Sequence, residues 1–358
     1  MLLMVDWITG RIGPTEDLVG FRPWEELKGR FDTGKVIQVK PGGEAGWMAA
    51  ARMEVVGSFD NSITVRSTDG FSLELSGNPV KFLQGHNLFG SDDALALFFA
   101  AGEKVRKVAG EFPSPGTWGS YKMKGPRFSR LDVTRSYRFA TQAQARAWLR
   151  GVAGAARSRH GAASLSKDGT VYLGKGSRRW TLKIYAKADE INARGKMHRL
   201  ISFAGREKRE LEDWAQGVLR FELQLRGLEL AKWPDLTPQT LPAVWQHYYD
   251  AVKMNRNVMV AREGLDMADK AKVDNAALGY LARWQAGEDL RAHLSKQIFY
   301  KWRRRLLSAC GVDIASPPVL AEKPADLVEL APEGWDPEPI ASKFYRPDPA
   351  FPGKFPSH

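Results

Sequence analysis

Three short segments of the sequence place a tyrosine and two carboxylates among basic residues at the spacing of a β-strand. Apolar and polar residues alternate in the segments FSRLDVT, WTLKIYAK and VLRFELQLR. Because successive side chains of a strand point to opposite faces of a sheet, each segment is predicted to bury one face and to present a polar one. The polar faces carry Arg130, Asp132 and Thr134, then Lys183, Tyr185 and Lys187, then Arg220, Glu222, Gln224 and Arg226.

If the three strands are neighbours, their polar faces form a basic groove that contains Asp132, Glu222 and Tyr185. Carboxylates are the usual protein ligands of Mg²⁺. The pKa of a free tyrosine hydroxyl is about 10, so this group needs nearby cations or a metal ion to become a useful nucleophile. The alternative is that each polar face is simply the solvated side of an antiparallel sheet.

The rest of the chain predicts the elements that would position these strands. Short β-branched runs in the first third predict strands at 36–39, 50–56, 62–66 and 71–75, and Asp69-Gly70 predicts a hairpin turn. Further strands are predicted at 128–134, 171–173, 180–187 and 218–226. Helices are predicted over 91–108, 141–156 and 206–215, and from Pro238 onward over 241–253, 275–285 and 290–308.

This order of elements predicts an α+β fold, in which helices pack on one face of an antiparallel sheet. We expect residues 1–235 to form the α+β domain, residues 236–311 a smaller helical region, and residues 312–358 a weakly ordered tail. The tail holds ten of the twenty prolines, and it contains four Lys or Arg and eight Asp or Glu residues. Such a composition has little capacity to build a core.

The overall composition limits the classes of partner. The net charge of +12 and the pI of about 9.7 indicate a polyanionic partner. The lone cysteine, Cys310, excludes an internal disulfide and a cysteine-rich zinc site. No stretch approaches the roughly 18 uncharged residues that a membrane helix requires, so we expect no membrane partner and a cytoplasmic location in a bacterial host.

Four motifs resemble the rolling-circle replication initiators of filamentous phages, the gene II/gene X type. The most specific is PVKFLQGHNLFGSDDALAL, which runs from Pro79 to Leu97. SRLDVT, TLKIYAK and LRFELQLR follow in matching order and spacing, so the resemblance extends to Arg226. It implies an HUH-endonuclease-like fold and a site-specific DNA endonuclease and strand transferase that acts at a phage or plasmid double-strand origin.

The resemblance also implies a reaction. The tyrosine at the matching position, Tyr185, would attack a phosphodiester, keep the 5′ phosphate as a phosphotyrosine and leave a 3′ hydroxyl for a host polymerase. The reverse attack would later close the displaced strand without ATP. The chain has no GxxxxGK[ST] motif, so a host helicase would unwind the duplex, and a host single-strand-binding protein would cover the displaced strand.

Residue roles follow from the matched positions. Asp132, Glu222 and His86 are expected to bind Mg²⁺ or Mn²⁺. Lys187 is expected to lower the pKa of Tyr185 or to hold the phosphate. Six basic residues are expected to hold DNA, namely Arg130, Lys183, Arg220, Arg226, Arg178 and Arg179.

Several alternatives stay open at this point. The wider superfamily binds its metal through a His-hydrophobic-His pair, which this chain lacks, and a structural role for His86 in a tight loop is an equal alternative. Asp6 on the first strand either joins the acidic set or is exposed at a strand end, and exposure is the expectation. The basic cluster Lys301–Arg305 either docks on DNA or is a solvated helix end. The chain is either the nicking enzyme, a non-catalytic origin-binding repressor, or a plasmid initiator or relaxase with the same chemistry.

Overall fold

A computed structural model describes most of the chain. The described residues are 3–13, 35–57, 59, 61–67, 72–110, 113–158, 161–166, 169–193, 200–252, 258–261, 275–285, 288–310, 313–315, 327–330 and 333–334. The strands are β1 (Met4–Ile12), β2 (Lys35–Val39), β3 (Ala45–Ala50), β4 (Met53–Val56), β5 (Ser62–Arg66), β6 (Leu73–Gly77), β7 (Arg127–Arg138), β8 (Arg157–Ser158), β9 (Gly161–Ala162), β10 (Ser164–Leu165), β11 (Val171–Leu173), β12 (Trp180–Ala186), β13 (Val218–Arg226), β14 (Val258–Ala261), β15 (Leu327–Leu330) and β16 (Glu333–Gly334).

Helices occupy the segments between these strands. They are α1 (Pro79–Gln84), α2 (Ala94–Val108), α3 (Pro115–Lys124), α4 (Gln142–Ala155), α5 (Lys187–Ile191), α6 (Gly205–Trp214), α7 (Gly227–Leu230), α8 (Leu241–Asp250), α9 (Asn275–Gln285), α10 (Leu290–His293) and α11 (Lys296–Cys310). None of these helices, within the described ranges, is long and apolar enough to cross a bilayer.

The central feature is a ten-stranded antiparallel sheet. Its order is β10-β11-β12-β13-β7-β1-β6-β5-β4, and β16 also pairs with β7. The apolar sides of the central strands pack on helices, as the contacts of Phe221 with Trp148 and of Tyr137 with Tyr249 illustrate. The predicted α+β fold with an antiparallel sheet is therefore confirmed.

A second, smaller cluster lies on the polar side of the sheet, at the start of β13. Val218 belongs to it, and strand alternation places Val218 on the same side as Arg220. Residues of α5 and α6 complete the cluster, together with Leu88 and Phe89 from the chain that follows α1. One end of the polar face is thus covered rather than solvated.

Most predicted elements occur, with three informative differences. Asn78 caps α1, and Ser114 caps α3; neither helix was predicted, because each is short and begins at a proline. The single helix predicted over 290–308 is divided at residues 294–295 into α10 and α11. The strand predicted over 50–56 is divided between β3 and β4. The hairpin turn predicted at Asp69-Gly70 lies outside the described residues.

The three predicted regions are linked by packing. Helix α8 contributes Leu241, Val244 and Trp245 to the main core, although it follows the predicted boundary at residue 235. A separate core joins α9, α10 and α11. Two tail segments are strands, because β15 pairs with β14 and β16 with β7. The tail is therefore ordered at these positions, while the domain boundaries themselves stay predictions.

Candidate active site

The three strands singled out by their polar faces are adjacent in the sheet. In the register of β12 and β13, Lys183 lies opposite Glu222, and Tyr185 lies opposite Arg220. In the register of β13 and β7, Gln224 lies opposite Asp132. Strand β1 is the next neighbour of β7. The predicted adjacency is confirmed, and it brings one tyrosine and two carboxylates together.

The hydroxyl of Tyr185 lies at the centre of this arrangement. It donates a hydrogen bond to Oε2 of Glu222 at 3.3 Å, and the side chain is only 7% exposed. Burial raises the pKa of Tyr185 well above its ordinary value of 10.0, and the carboxylates of Glu190, Glu222 and Asp6 raise it further. Arg220 acts in the opposite direction. The phenol is therefore held neutral, with a proton acceptor within reach.

Glu222 and Asp132 form a buried pair of carboxylates. Burial raises the pKa of Glu222, and the neighbouring Asp132 raises it further, while Lys183 forms a short ion pair with Glu222 and lowers it. Arg130 donates two hydrogen bonds to Asp132, one of them at 2.8 Å. The guanidinium of Arg130 also lies 4.7 Å from the centre of the Trp7 ring. Each carboxylate is thus held by one cation of the polar face.

Asp6 is the third carboxylate, and the expectation that it is exposed is wrong. A register shift between Val5 and Trp7 leaves Asp6 as the extra residue of a β-bulge on β1. Its carboxylate is buried and accepts hydrogen bonds from Asn78 and Asn87, each at 2.8 Å. Burial raises the pKa of Asp6, and Glu222 raises it further. The bulge therefore brings a second acidic strand residue toward Glu222.

The LQGHN segment forms a loop over the Tyr185 end of the polar face. Gly85 ends α1 at φ +86°, a left-handed conformation that favours glycine. Asn87 then makes three contacts. Its amide nitrogen donates to Asp6, its amide oxygen accepts from Lys187 at 3.0 Å, and its backbone oxygen accepts from Arg220 at 3.0 Å. One residue of the loop thus joins β1, the start of α5 and β13.

Comparison with known proteins agrees with these motifs. Residues 4–247 match the family described as the N-terminal part of a phage replication-associated protein, the gene II protein. The chain is 30% identical over 331 residues to the replication-associated protein of that type from Enterobacteria phage I2-2, covering 87% of this chain and 88% of that protein. The chain belongs to the family of gene II replication-associated proteins. The resemblance to the gene II type of initiator is thereby confirmed.

One solved structure also matches weakly. It is the rolling-circle replication initiator protein from Geobacillus stearothermophilus, at 15% identity, with 63% of this chain and 74% of that chain covered and a TM-score of 0.26. Because the TM-score is this low, the similarity supports no statement about the site of this chain.

His86 does not join the carboxylates in this member of the gene II family. Its ring packs edge-on against Phe89, with 4.6 Å between centroids, and lies 5.5 Å from Phe203. Nδ1 accepts a hydrogen bond from the backbone N–H of Leu88 at 3.3 Å. Among the described residues, no three His, Cys, Asp or Glu side chains converge as a metal site. The structure thus does not bring His86 together with the two carboxylates, and its contacts suit a role in holding the loop; ligation by His86 stays a prediction.

Two carboxylates nevertheless suit a hard cation. Mg²⁺ is commonly held by one or two carboxylates, with water and substrate phosphates as its other ligands. Asp132 and Glu222 offer such a pair, and their mutual repulsion, which raises the pKa of Glu222, is what a divalent ion would relieve. The donor set fits a two-carboxylate site better than the predicted three-ligand site.

Two predicted cations have internal roles. Lys187 begins α5, and its Nζ contacts Glu190 and Asn87 while lying 5.9 Å from the Tyr185 ring centre. These contacts allow Lys187 to support the loop, while its action on the phenol or on the phosphate stays a prediction. Arg220 is 1% exposed and donates to the backbone oxygens of Asn87 and Leu88, so it is unsuited to hold DNA from the surface.

The remaining predicted cations lie nearer the surface. Lys183 and Arg130 are partly exposed, although each is paired with a carboxylate of the site. Arg226 donates to Thr181 and Gln224. Arg178 and Arg179 are both exposed, and Arg179 also forms an ion pair at 3.3 Å with the buried carboxylate of Glu229. The part of the polar face that carries these cations is the part accessible to a DNA backbone.

Sequence reasoning missed three residues of the site. Asn87 lies inside the LQGHN motif, where only His86 was singled out. Lys81 of α1 lies near Asp6, Lys187 and Glu190; burial lowers its pKa, and Lys187 lowers it further. For Asp6, exposure at a strand end was expected instead of membership of the acidic set, and strand alternation gives no sign of the bulge that buries it. The specificity of the motif around Asn87 was the available signal for the first two.

Proposed function

We propose that this chain nicks one strand of a phage or plasmid double-strand origin through Tyr185 and later religates the displaced strand. The observation that carries the proposal is the hydrogen bond from the Tyr185 hydroxyl to Glu222 within a family of replication proteins. A buried carboxylate with a raised pKa is a suitable proton acceptor for a phenol. The surrounding cations suit a phosphodiester substrate.

The proposed step is a transesterification. The Oη atom of Tyr185 attacks the phosphorus, an O–P bond forms, and the bond from phosphorus to the 3′ oxygen breaks. The phenolic proton passes to Glu222, and the departing 3′ oxygen takes up a proton to become a hydroxyl. The product is a 5′-phosphotyrosine. Religation reverses the step, because the covalent bond retains the energy of the phosphodiester.

The other residues have positioning roles in this proposal. Arg130 orients Asp132, and Lys183 orients Glu222. Asp132 and Glu222 would hold Mg²⁺ or Mn²⁺, which would withdraw charge from the scissile phosphate. Lys183, Arg130 and Arg226 would contact the DNA backbone. Host helicase, single-strand-binding protein and polymerase are the proposed partners in the cytoplasm of the bacterial host.

The decisive experiment uses a supercoiled plasmid that carries the origin region of the replicon. With Mg²⁺ or Mn²⁺, the wild-type chain is expected to give nicked circles with protein attached to the 5′ end, and a chelator is expected to prevent this. Tyr185→Phe is expected to bind the plasmid and to leave it uncut, because the nucleophilic oxygen is missing.

Tyr172→Phe is the matched control. Tyr172 lies on the neighbouring strand β11, opposite Lys183, and therefore on the same side of the sheet as Tyr185. This variant is expected to nick normally. If Tyr172→Phe loses nicking and Tyr185→Phe retains it, the nucleophile is wrongly assigned. A wild-type chain that binds the origin and never cuts it would favour the non-catalytic repressor.

A further inference from the structure

Helices α9, α10 and α11 build a small unit with its own core. Its core includes Ala277 and Leu281 of α9, Leu290 of α10, and Phe299 and Leu306 of α11. Helices α10 and α11 are separated only by residues 294–295. Helix α11 is the longest helix of this three-helix unit, and it supplies Phe299 and Leu306 to the core.

The composition of α11 is one-sided. Its sequence, KQIFYKWRRRLLSAC, contains five Lys or Arg and no Asp or Glu. Arg303 faces Asp313, with hydrogen bonds at 2.6 Å and 2.7 Å. The other cations are exposed, namely Lys296, Lys301, Arg304 and Arg305. The exposed surface of this helix is therefore strongly positive.

The helical period separates two faces of α11. Phe299, Trp302 and Leu306 are buried in the core of the unit. With 3.6 residues per turn, the opposite side carries Gln297, Lys301 and Arg304. These three residues are exposed. Amide, ammonium and guanidinium groups are the side chains that hydrogen-bond to base edges in a major groove.

A purely solvated helix end does not account for this surface. Cations complement the dipole only in the last turn of a helix, whereas Lys296 begins α11 and Lys301 lies in its middle. Ile298 and Leu307 expose 43% and 48% of their surfaces on the same helix. The ring of Trp302 lies 5.1 Å from Nζ of Lys301 and 5.7 Å from the guanidinium of Arg305, which restricts both side chains.

We propose that α11 docks in the major groove of duplex DNA at the origin, with Gln297, Lys301 and Arg304 toward the base edges. Lys296 and Arg305 flank this ridge and contact phosphates. The occupant is a duplex because α11 is a convex ridge and Trp302 is buried, whereas single strands bind in grooves that offer aromatic platforms. The inference rests on the proposed function only for the identity of the DNA.

The test compares two double variants of the full chain. Lys301→Ala/Arg304→Ala removes two charges from the ridge, and Arg206→Ala/Arg209→Ala removes two exposed charges from α6. Fluorescence anisotropy measures binding to short duplexes that tile the origin region and to a scrambled duplex at several salt concentrations. Nicking of a single-stranded origin oligonucleotide is measured in parallel, and circular dichroism checks that each variant is folded.

We expect the ridge variant to bind the origin duplex at least tenfold more weakly, with the salt slope reduced by about one to two. The affinity of the α6 variant for the origin duplex should stay within about twofold of that of the wild-type chain. Removing charges far from α11 weakens only the long-range electrostatic attraction of the whole protein for DNA. Single-strand nicking should be unchanged in both. Gln297→Ala, which alters no charge, should lower the ratio of the affinity for the origin duplex to the affinity for the scrambled duplex.

Other outcomes separate this inference from the proposed function. Wild-type duplex affinity in the ridge variant would overturn the docking of α11, whatever the result for nicking. Equal losses in the two double variants would also overturn it. Weakened single-strand binding with normal duplex binding would assign the ridge to the displaced strand instead. If the wild-type chain nicks nothing yet binds the duplex through α11, the docking stands and the nicking proposal fails.

Discussion

At the scale of single residues, Asn87 links two strands and a helix. It accepts hydrogen bonds from Lys187 at the start of α5 and from Arg220 of β13, and it donates one to Asp6 of β1. None of these contacts reaches Tyr185 directly. They instead fix the residues that surround it, so Asn87 is a positioning residue for the proposed reaction.

We expect Asn87→Ala to slow nicking at least tenfold and to leave DNA affinity within about twofold, because each buried hydrogen bond that is lost costs about 1–3 kcal/mol. Lys187 and Asp6 each lose one hydrogen bond and keep another, to Glu190 and from Asn78 respectively, whereas the backbone oxygen that binds Arg220 remains. Single-turnover nicking rates and anisotropy titrations measure the two effects separately. Asn192→Ala, which removes a hydrogen bond to Ala188 at the end of α5, is the control. A normal nicking rate in Asn87→Ala would show that Asn87 does not position the residues of the site.

Part of this site was predictable from residue types alone. Strand alternation placed Tyr185, Asp132 and Glu222 on polar faces, and the structure brings them together. Asp6 was missed because a bulge depends on how β1 pairs with β7, which local sequence does not encode. The position of His86 was set by its packing on Phe89 and Phe203, and the latter contact joins distant parts of the chain.

At the scale of elements, the turn that ends α1 controls where the LQGHN loop lies. Gly85 has φ +86°, and a Cβ atom there would lie 3.1 Å from the Phe59 ring and 3.3 Å from the Phe203 ring. Glycine is therefore favoured here for two reasons: the backbone is left-handed, and the two aromatic rings leave little room for a side chain. Its replacement should disturb the loop before it disturbs the sheet.

We expect Gly85→Ala to lower the free energy of unfolding by about 1–2 kcal/mol, the cost of a left-handed L-residue. Gly119→Ala is the matched control, because Gly119 lies within α3 with no atom within 4 Å of an added Cβ. That change should raise the free energy of unfolding by about 0.5–1 kcal/mol. Urea unfolding measures both, and equal effects of the same sign would contradict the assignment.

Strands that alternate or are rich in β-branched residues were predicted well, and so was one longer helix, whereas two short helices were not. The predicted bounds of β5, β11, β13 and α9 agree with the structure. Helices α1 and α3 are held by caps and by burial of Phe82 and Trp118, and six to ten residues give too few turns for a helical pattern to stand out. The break between α10 and α11 reflects packing around Leu290 and Phe299 rather than any proline or glycine.

At the scale of the whole molecule, the tail completes the central sheet. Glu333 pairs with Arg138 and Gly334 with Tyr137, on the edge of β7 beyond its pairing with β1. The composition of the tail did not predict this role. A segment rich in proline can nevertheless add a two-residue strand where the edge of a sheet is open. The pairing protects backbone groups of β7 that would otherwise need water.

We expect a chain that ends at residue 315 to melt several degrees below the full chain, because it loses β15 and β16; a change of 1 kcal/mol shifts the melting temperature of a domain this size by about 2–4 °C. A chain that ends at residue 340 retains both strands and is the control. Differential scanning fluorimetry compares the three. Identical melting of the shortest and full chains would show that the tail contributes nothing to stability.

The pairing of β7 also bears on the order of folding during synthesis. One edge of this strand accepts β1 from the beginning of the chain and β16 from near residue 333. The last strand emerges from the ribosome roughly two hundred residues after β7, a delay of about 10–40 s at ordinary rates of translation. A nascent chain therefore carries an unprotected stretch of β7 until residues 333–334 have emerged. Slow translation of the chain between β7 and β16 would lengthen that exposure and favour pairing between neighbouring nascent chains.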